Sequence, residues 1–187
     1  MRFITPNIKT VLYFIVAVAT AYPVFGQEPP FLLPKNAELI KIRSAVIKTE
    51  KGNIYLELFP KDAPWHVANF KYLADKHYYR NSIFNFHTPG FIIQGGYKPG
   101  HKKPPYELPP EFNRHKHLRG TVGMARIEDT MNPGRSSDPF QFYIMLSDGP
   151  HMDERYTVFG RVIRGMNVAD SLRKGDRILD LIVYVKR

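Results

Sequence analysis

Few side chains in this sequence are placed to do chemistry, and the most informative of them is an amide. Gln94 ends an apolar run, Phe91-Ile92-Ile93, and is followed at once by Gly95-Gly96. Its side chain supplies two N–H donors and one acceptor beside an apolar wall, and paired glycines let another backbone come close. The combination suits holding a polar group of an otherwise apolar ligand; it equally describes a buried strand that ends in a loop. The histidines are the other candidates. His101, His115 and His117 lie near one another, and a His-x-His pair can turn two ring nitrogens toward a metal. No carboxylate or cysteine completes such a site, so no metal or cofactor is expected and the three rings are read as solvated surface groups.

The elements that must position Gln94 are mostly strands. Two short apolar runs flank Pro89-Gly90, where proline presets one turn dihedral and glycine accepts a positive φ. Residues 44–49 and 53–59 form β-type runs around Glu50-Lys51-Gly52-Asn53, a hairpin signal, with Ile54, Leu56 and Leu58 alternating against Tyr55, Glu57 and Phe59. Asp62-Ala63-Pro64 predicts a helix start with Asp62 as its cap, and Val67, Phe70, Tyr72, Leu73 and Ala74 carry the helix to about Lys76. Residues 98–113 are rich in proline and read as a long, extended surface loop. Residues 120–126 and 140–146 are further strands, and 128–139 has loop chemistry. A short helix over 166–172 stops at Lys174-Gly175, and 178–185 is a closing strand. Many strands with two helices indicate a mainly β fold, an antiparallel barrel closed so that no long edge is exposed.

The N-terminus has the order of a signal peptide: Arg2 and Lys9, an apolar run from Val11 to Ala19 extended loosely to Phe25, and small-enough residues for cleavage before Gln27. Pro23 interrupts the run before it reaches the roughly 20 residues a spanning helix needs. The expected organisation is therefore a signal peptide at 1–26, a proline-containing linker at 27–40 and one domain at 41–187. The product would be exported and periplasmic, with no stable membrane insertion after cleavage; secretion, or anchoring by an uncleaved N-terminus, are the alternatives. The chain has no cysteine, so the core must hold the fold without disulfides. Taking the two positive charges of residues 1–26 from the net +10 leaves +8. The lysines and arginines are scattered, which argues for weak affinity for acidic surfaces and no specific nucleic-acid site, a reading that would predict binding lost steeply with salt.

Several runs resemble the cyclophilin family of peptidyl-prolyl cis-trans isomerases. Tyr78-Tyr79, Phe84, Pro89-Gly90-Phe91 and Ile93-Gln94-Gly95-Gly96 carry the similarity, as do Asp62-Ala63-Pro64 with Val67-Ala68-Asn69-Phe70, the two strands at 120–126 and 140–146, and residues 150–160 ending in Phe159-Gly160. The likeness spans about residues 41–187, in the family's order. It implies a closed eight-stranded antiparallel β-barrel capped by two α-helices, no cofactor, and a monomer acting on proline-containing polypeptides, here in the folding of exported proteins.

Rotation about an X-Pro bond must break amide resonance, a barrier of roughly 20 kcal/mol. No nucleophile or proton shuttle is needed. An apolar slot for the ring, polar groups for the twisted carbonyl and a donor to the prolyl nitrogen suffice, because that nitrogen gains basicity as resonance is lost. By the resemblance the slot is Phe91, Ile92, Tyr143 and Met152, with Gln94 as the amide and Ala125 on the neighbouring strand. His151 stands at a rim position held by Trp in well-known eukaryotic members, and Tyr156 where those carry His. One position departs from the pattern. The family has His-Arg after the Phe at 84, and this chain has Asn85-Phe86, so Phe86 occupies the slot of the main catalytic arginine. Strand alternation sends Asn85 and His87 to the opposite face, leaving Arg126 as the cation that could reach across. The expectation is an isomerase of reduced turnover, with a non-catalytic proline-peptide binding module or chaperone on the same scaffold as the alternative.

Overall fold

Alternation of side chains builds the barrel. In β2 (Gly52–Leu58), Ile54, Leu56 and Leu58 are buried while Asn53, Tyr55 and Glu57 face outward. β1 (Ile42–Thr49) pairs with it through the predicted hairpin. β3 (Ser82–Thr88) and β4 (Ile92–Tyr97) follow, then β5 (Thr121–Met124), β6 (Phe142–Met145), β7 (Val158–Arg164) and β8 (Arg177–Val185). In this computed structural model, which describes residues 27–102 and 105–186, the eight strands close in the order β1-β2-β7-β5-β6-β4-β3-β8. Every pairing is antiparallel. The expected signal peptide, residues 1–26, lies outside the described residues.

Helix α1 (Asn36–Leu39) is a single turn; α2 (Pro64–Asp75) and α3 (Met166–Ser171) are the two expected helices. α2 buries Val67, Phe70, Leu73 and Ala74 at helical spacing against the barrel core, where Phe70 meets the rings of Tyr79, Phe142 and Phe159. Residues 27–40 lie against the domain: the Phe31 ring packs between Trp65 and Tyr72 of α2, and Leu39 is buried. No helix among the described residues is long and apolar enough to cross a membrane.

The predicted cap of α2 is corrected. Ala63 is the N-cap, and its side chain makes no capping hydrogen bond. Instead the Glu111 carboxylate accepts the Trp65 and His66 backbone N–H groups, at 3.0 Å each, and lies 2.6 Å from His66 Nδ1. A charge from a distant loop thus satisfies two orphan donors at the positive end of the helix dipole. Asp62 pairs with His115 Nε2 at 3.1 Å. The proline-rich segment is also more than surface loop: Tyr106 and Leu108 are buried, Leu108 bridges to Ser137, and the Tyr106 hydroxyl donates to Asn69 Oδ1 at 2.7 Å.

Candidate functional site

Strands β4 and β6 lie side by side, and their alternation divides two apolar clusters. Ile93, Phe142 and Ile144 point into the barrel core. Ile92, Tyr143 and Met145 form a second buried cluster with Met152, edged by Phe91 and Tyr156. Gln94 and Tyr143 are register partners on this side. The paired glycines do what their position suggested: at Gly96, with φ +97°, a Cβ would lie 2.1 Å from the Phe140 carbonyl oxygen, so only glycine lets that backbone approach.

A cleft of about 550 Å³ opens here, and its lining includes Phe86, Phe91, Ile92, Gln94, Ala125, Arg126, Tyr143, His151, Met152 and Tyr156. Tyr143 and Met152 are buried; His151 is exposed and stacks on the Phe91 ring, centroids 5.6 Å apart. The apolar wall can take a ring the size of proline, and Gln94 stands at its polar edge.

That polar edge holds more amides than the sequence suggested. The β3–β4 register slips between Phe84, opposite Gly95, and Phe86, opposite Gln94. Asn85 is the extra residue of a β-bulge, and a bulge re-aims side chains. The expectation that Asn85 turns away from Gln94 is therefore corrected: Asn85 Nδ2 donates to Gln141 Oε1 at 2.8 Å, and Gln94 Nε2 donates to the same oxygen at 3.0 Å. Gln141 is oriented in turn by Asp138, whose Oδ2 accepts from Gln141 Nε2 at 2.8 Å. A carboxylate only accepts, so Asp138 fixes which end of Gln141 faces the two donors, and Gln141 fixes theirs. Asn85 Oδ1 is buried and has no hydrogen-bond partner among the described residues. Neither Asn85, Asp138 nor Gln141 was singled out as a site residue in the sequence, because nothing local marks the bulge.

Phe86 sits on the cleft wall, half-exposed and directly across from Gln94 in the strand register, where it offers no hydrogen bond. Arg126 reaches the cleft with its Nε and Nη1 donors engaged. Its Nε donates to the Arg155 carbonyl (2.9 Å), its Nη1 to the Ile127 carbonyl (3.0 Å) and to Asp129 Oδ1 (2.6 Å), and its guanidinium covers the Tyr156 ring at 4.5 Å. The Arg126 bond, its charge, and those of Arg135 and Arg155 hold the Asp129 carboxyl below the usual range.

The floor of the cleft has a buried support. The Tyr143 hydroxyl lies 2.8 Å from His117 Nε2, and His117 Nδ1 lies 3.1 Å from Asp153 Oδ1, which also accepts the His117 backbone N–H at 2.8 Å. Of the three histidines read as solvated, only His101 is so: the His117 side chain is fully buried, and His115 stacks on Phe59 at 4.1 Å. Burial holds the His117 ring below its ordinary value of 6.5 against the opposing pull of the Asp153 bond and charge. Burial alone would raise the Asp153 carboxyl, but the His117 and Lys116 bonds outweigh it and hold it low. Burial also drives the Tyr143 phenol well above 10. At neutral pH the set is a carboxylate, a neutral imidazole and a phenol.

Comparison with known proteins agrees with this geometry. Residues 44–183 match the family described as "Cyclophilin type peptidyl-prolyl cis-trans isomerase/CLD". A peptidyl-prolyl cis-trans isomerase of Helicobacter pylori (strain ATCC 700392 / 26695) is 40% identical over 156 residues, covering 80% of this chain and 91% of the relative. One from Synechococcus elongatus is 40% identical over 141 residues, covering 73% and 93%. Among solved structures, a Cryptosporidium parvum cyclophilin type peptidyl-prolyl cis-trans isomerase, in the presence of dipeptide Ala-Pro, superposes with a TM-score of 0.64 at 27% identity, covering 77% of this chain and all of that one. With its barrel, its apolar cleft beside Gln94 and these relatives, the chain belongs to the cyclophilin-type peptidyl-prolyl cis-trans isomerase family.

Proposed function

We propose that the protein is a peptidyl-prolyl cis-trans isomerase acting as a monomer on proline-containing polypeptides, with turnover limited by Phe86. The observation that carries the reading is the cleft itself. Phe91, Ile92, Tyr143 and Met152 offer a proline-sized apolar slot, and Gln94 stands beside it on an oriented amide network. These groups can hold the ring and the twisted carbonyl. What the slot lacks is a donor at residue 86 for the prolyl nitrogen, the contact that strengthens only in the transition state. An isomerisation assay on a short X-Pro peptide tests this: slow but measurable acceleration is expected, and a rate equal to the uncatalysed one would overturn it.

The second reading is a proline-peptide binder or holding chaperone without turnover. The half-exposed Phe86 ring, which extends the apolar wall where the family has a cation, favours it. Peptide binding without any acceleration would select this reading over the first.

Export to the periplasm belongs to the same proposal and rests on the order of basic, apolar and small residues in 1–26. Mass spectrometry should find a mature chain beginning near Gln27; an intact Met1 in a membrane fraction would overturn it.

A further inference from the structure

The phenol under the cleft is held from behind. Tyr143 lies between two partner strands, opposite Gln94 on β4 and opposite Gly123 on β5. A Cβ on Gly123 would lie 2.2 Å from the Tyr143 hydroxyl oxygen, so the missing side chain at 123 makes the space the hydroxyl occupies. In that space the hydroxyl meets His117 Nε2, and His117 Nδ1 meets Asp153, with both His117 and Tyr143 essentially excluded from solvent. The Asp153 carboxylate can only accept, so Nδ1–H donates to it, which leaves Nε2 to accept from the phenol. No second acceptor for the Tyr143 O–H is found among the described hydrogen bonds. The ring therefore has one polar tether, and it runs through a histidine.

We propose that His117 and Asp153 are positioning residues for the proline slot: they fix the depth of the Tyr143 ring by its hydroxyl, so that binding of the proline depends on the protonation of His117. The proposal rests on the cleft being a proline-peptide site. When His117 takes up a proton, Nε2 becomes a donor and the phenol loses its acceptor. The phenol proton must then turn into apolar surroundings, which a buried donor resists. The groups that face His117 are Asp153 on the turn before β7, Lys116 on its own segment, His151 on the turn at 150–152, and the phenols Tyr143 and Tyr156. Burial, aided by His151 and Lys116, keeps the ring neutral at pH 7, while Asp153 works the other way.

The test is calorimetric binding of a short X-Pro peptide between pH 7.5 and 5, for the wild type and for Tyr143→Phe. Phenylalanine keeps the apolar floor and needs no tether. The wild type should lose about three- to tenfold in affinity on acidification as one buried donor is left unpaired, and Tyr143→Phe should lose markedly less. Any pH response of the rim that does not pass through the Tyr143 hydroxyl acts alike on both proteins, so it cancels in the comparison. Identical pH profiles would overturn the proposal. Asp153→Asn is the second arm: removing the charge that supports the imidazolium should move the midpoint of the wild-type profile to lower pH, and an unmoved midpoint would equally overturn it. Absence of binding at every pH would overturn the peptide-site reading itself, and the proposal with it.

Discussion

Asn85 donates to the Gln141 amide oxygen at 2.8 Å, and by that bond it belongs to the same polar edge as Gln94. The direction of every amide on that edge traces back to Asp138, the one member that can only accept. Asp138→Asn removes the directing charge but keeps an oxygen for the Phe140 N–H it now caps at 2.7 Å. Gln141 should then sample both orientations, and peptide affinity should fall about fivefold, the worth of roughly 1 kcal/mol of hydrogen bonding. Calorimetry reads this directly; an unchanged affinity would mean that amide direction does not matter to binding.

Glu111 should matter to stability and little to the cleft. Glu111→Ala leaves the Trp65 and His66 N–H groups without their carboxylate. The loss of a helix cap of this kind costs about 0.5–2 kcal/mol. Denaturant unfolding should show a lower midpoint at an unchanged slope, with peptide affinity retained in the folded protein. A midpoint equal to the wild type would contradict the capping role.

Stability should respond to acid through His117. Its folded-state value is lowered by burial, below the unfolded 6.5. Between the two values the unfolded chain binds more protons than the folded one, so stability rises with pH through that window. Acidification from 6.5 downward therefore costs stability until the folded value is passed. Following the unfolding midpoint from pH 7.5 to 5 in wild type and His117→Gln checks this: the slope should be shallower in the variant. Equal slopes would show that other groups carry the dependence.

Phe91 forms the wall against which a proline ring would pack, with His151 stacked behind it. Phe91→Ala should weaken peptide binding at least about tenfold, or 1.4 kcal/mol, and raise KM more than it lowers kcat. An unchanged KM would place the peptide elsewhere.

Much of the fold was legible because its signals are local. The β2 alternation of Ile54, Leu56 and Leu58, the turn at 50–53 and the helix pattern from Val67 to Ala74 each sit within a dozen residues. What escaped depends on partners far along the chain. The bulge at Asn85 exists only relative to the β4 register, and Glu111 caps a helix that begins 47 residues earlier in sequence. His117 looked like a surface ring because its partners, Tyr143 and Asp153, come 26 and 36 residues later. Residues 27–40 show no periodicity because Phe31 and Leu39 reach the domain singly, not along a face. The apolar cleft lining could be named from the family pattern, whereas the orientation of the amides and the burial of the histidine follow from contacts between residues distant in sequence.

Turnover should hinge on residue 86. Phe86→Arg restores a donor beside Gln94, and the rate of isomerisation of a short X-Pro peptide is the measurement to make. Removing one comparable transition-state donor costs about a hundred- to a thousand-fold in rate. Reintroduction into a shell not shaped for arginine should recover some tenfold or more. The gain should appear in kcat with KM little changed, because the contact forms only as resonance breaks. A folded Phe86→Arg protein whose kcat equals that of the wild type would contradict the claim that Phe86 limits turnover.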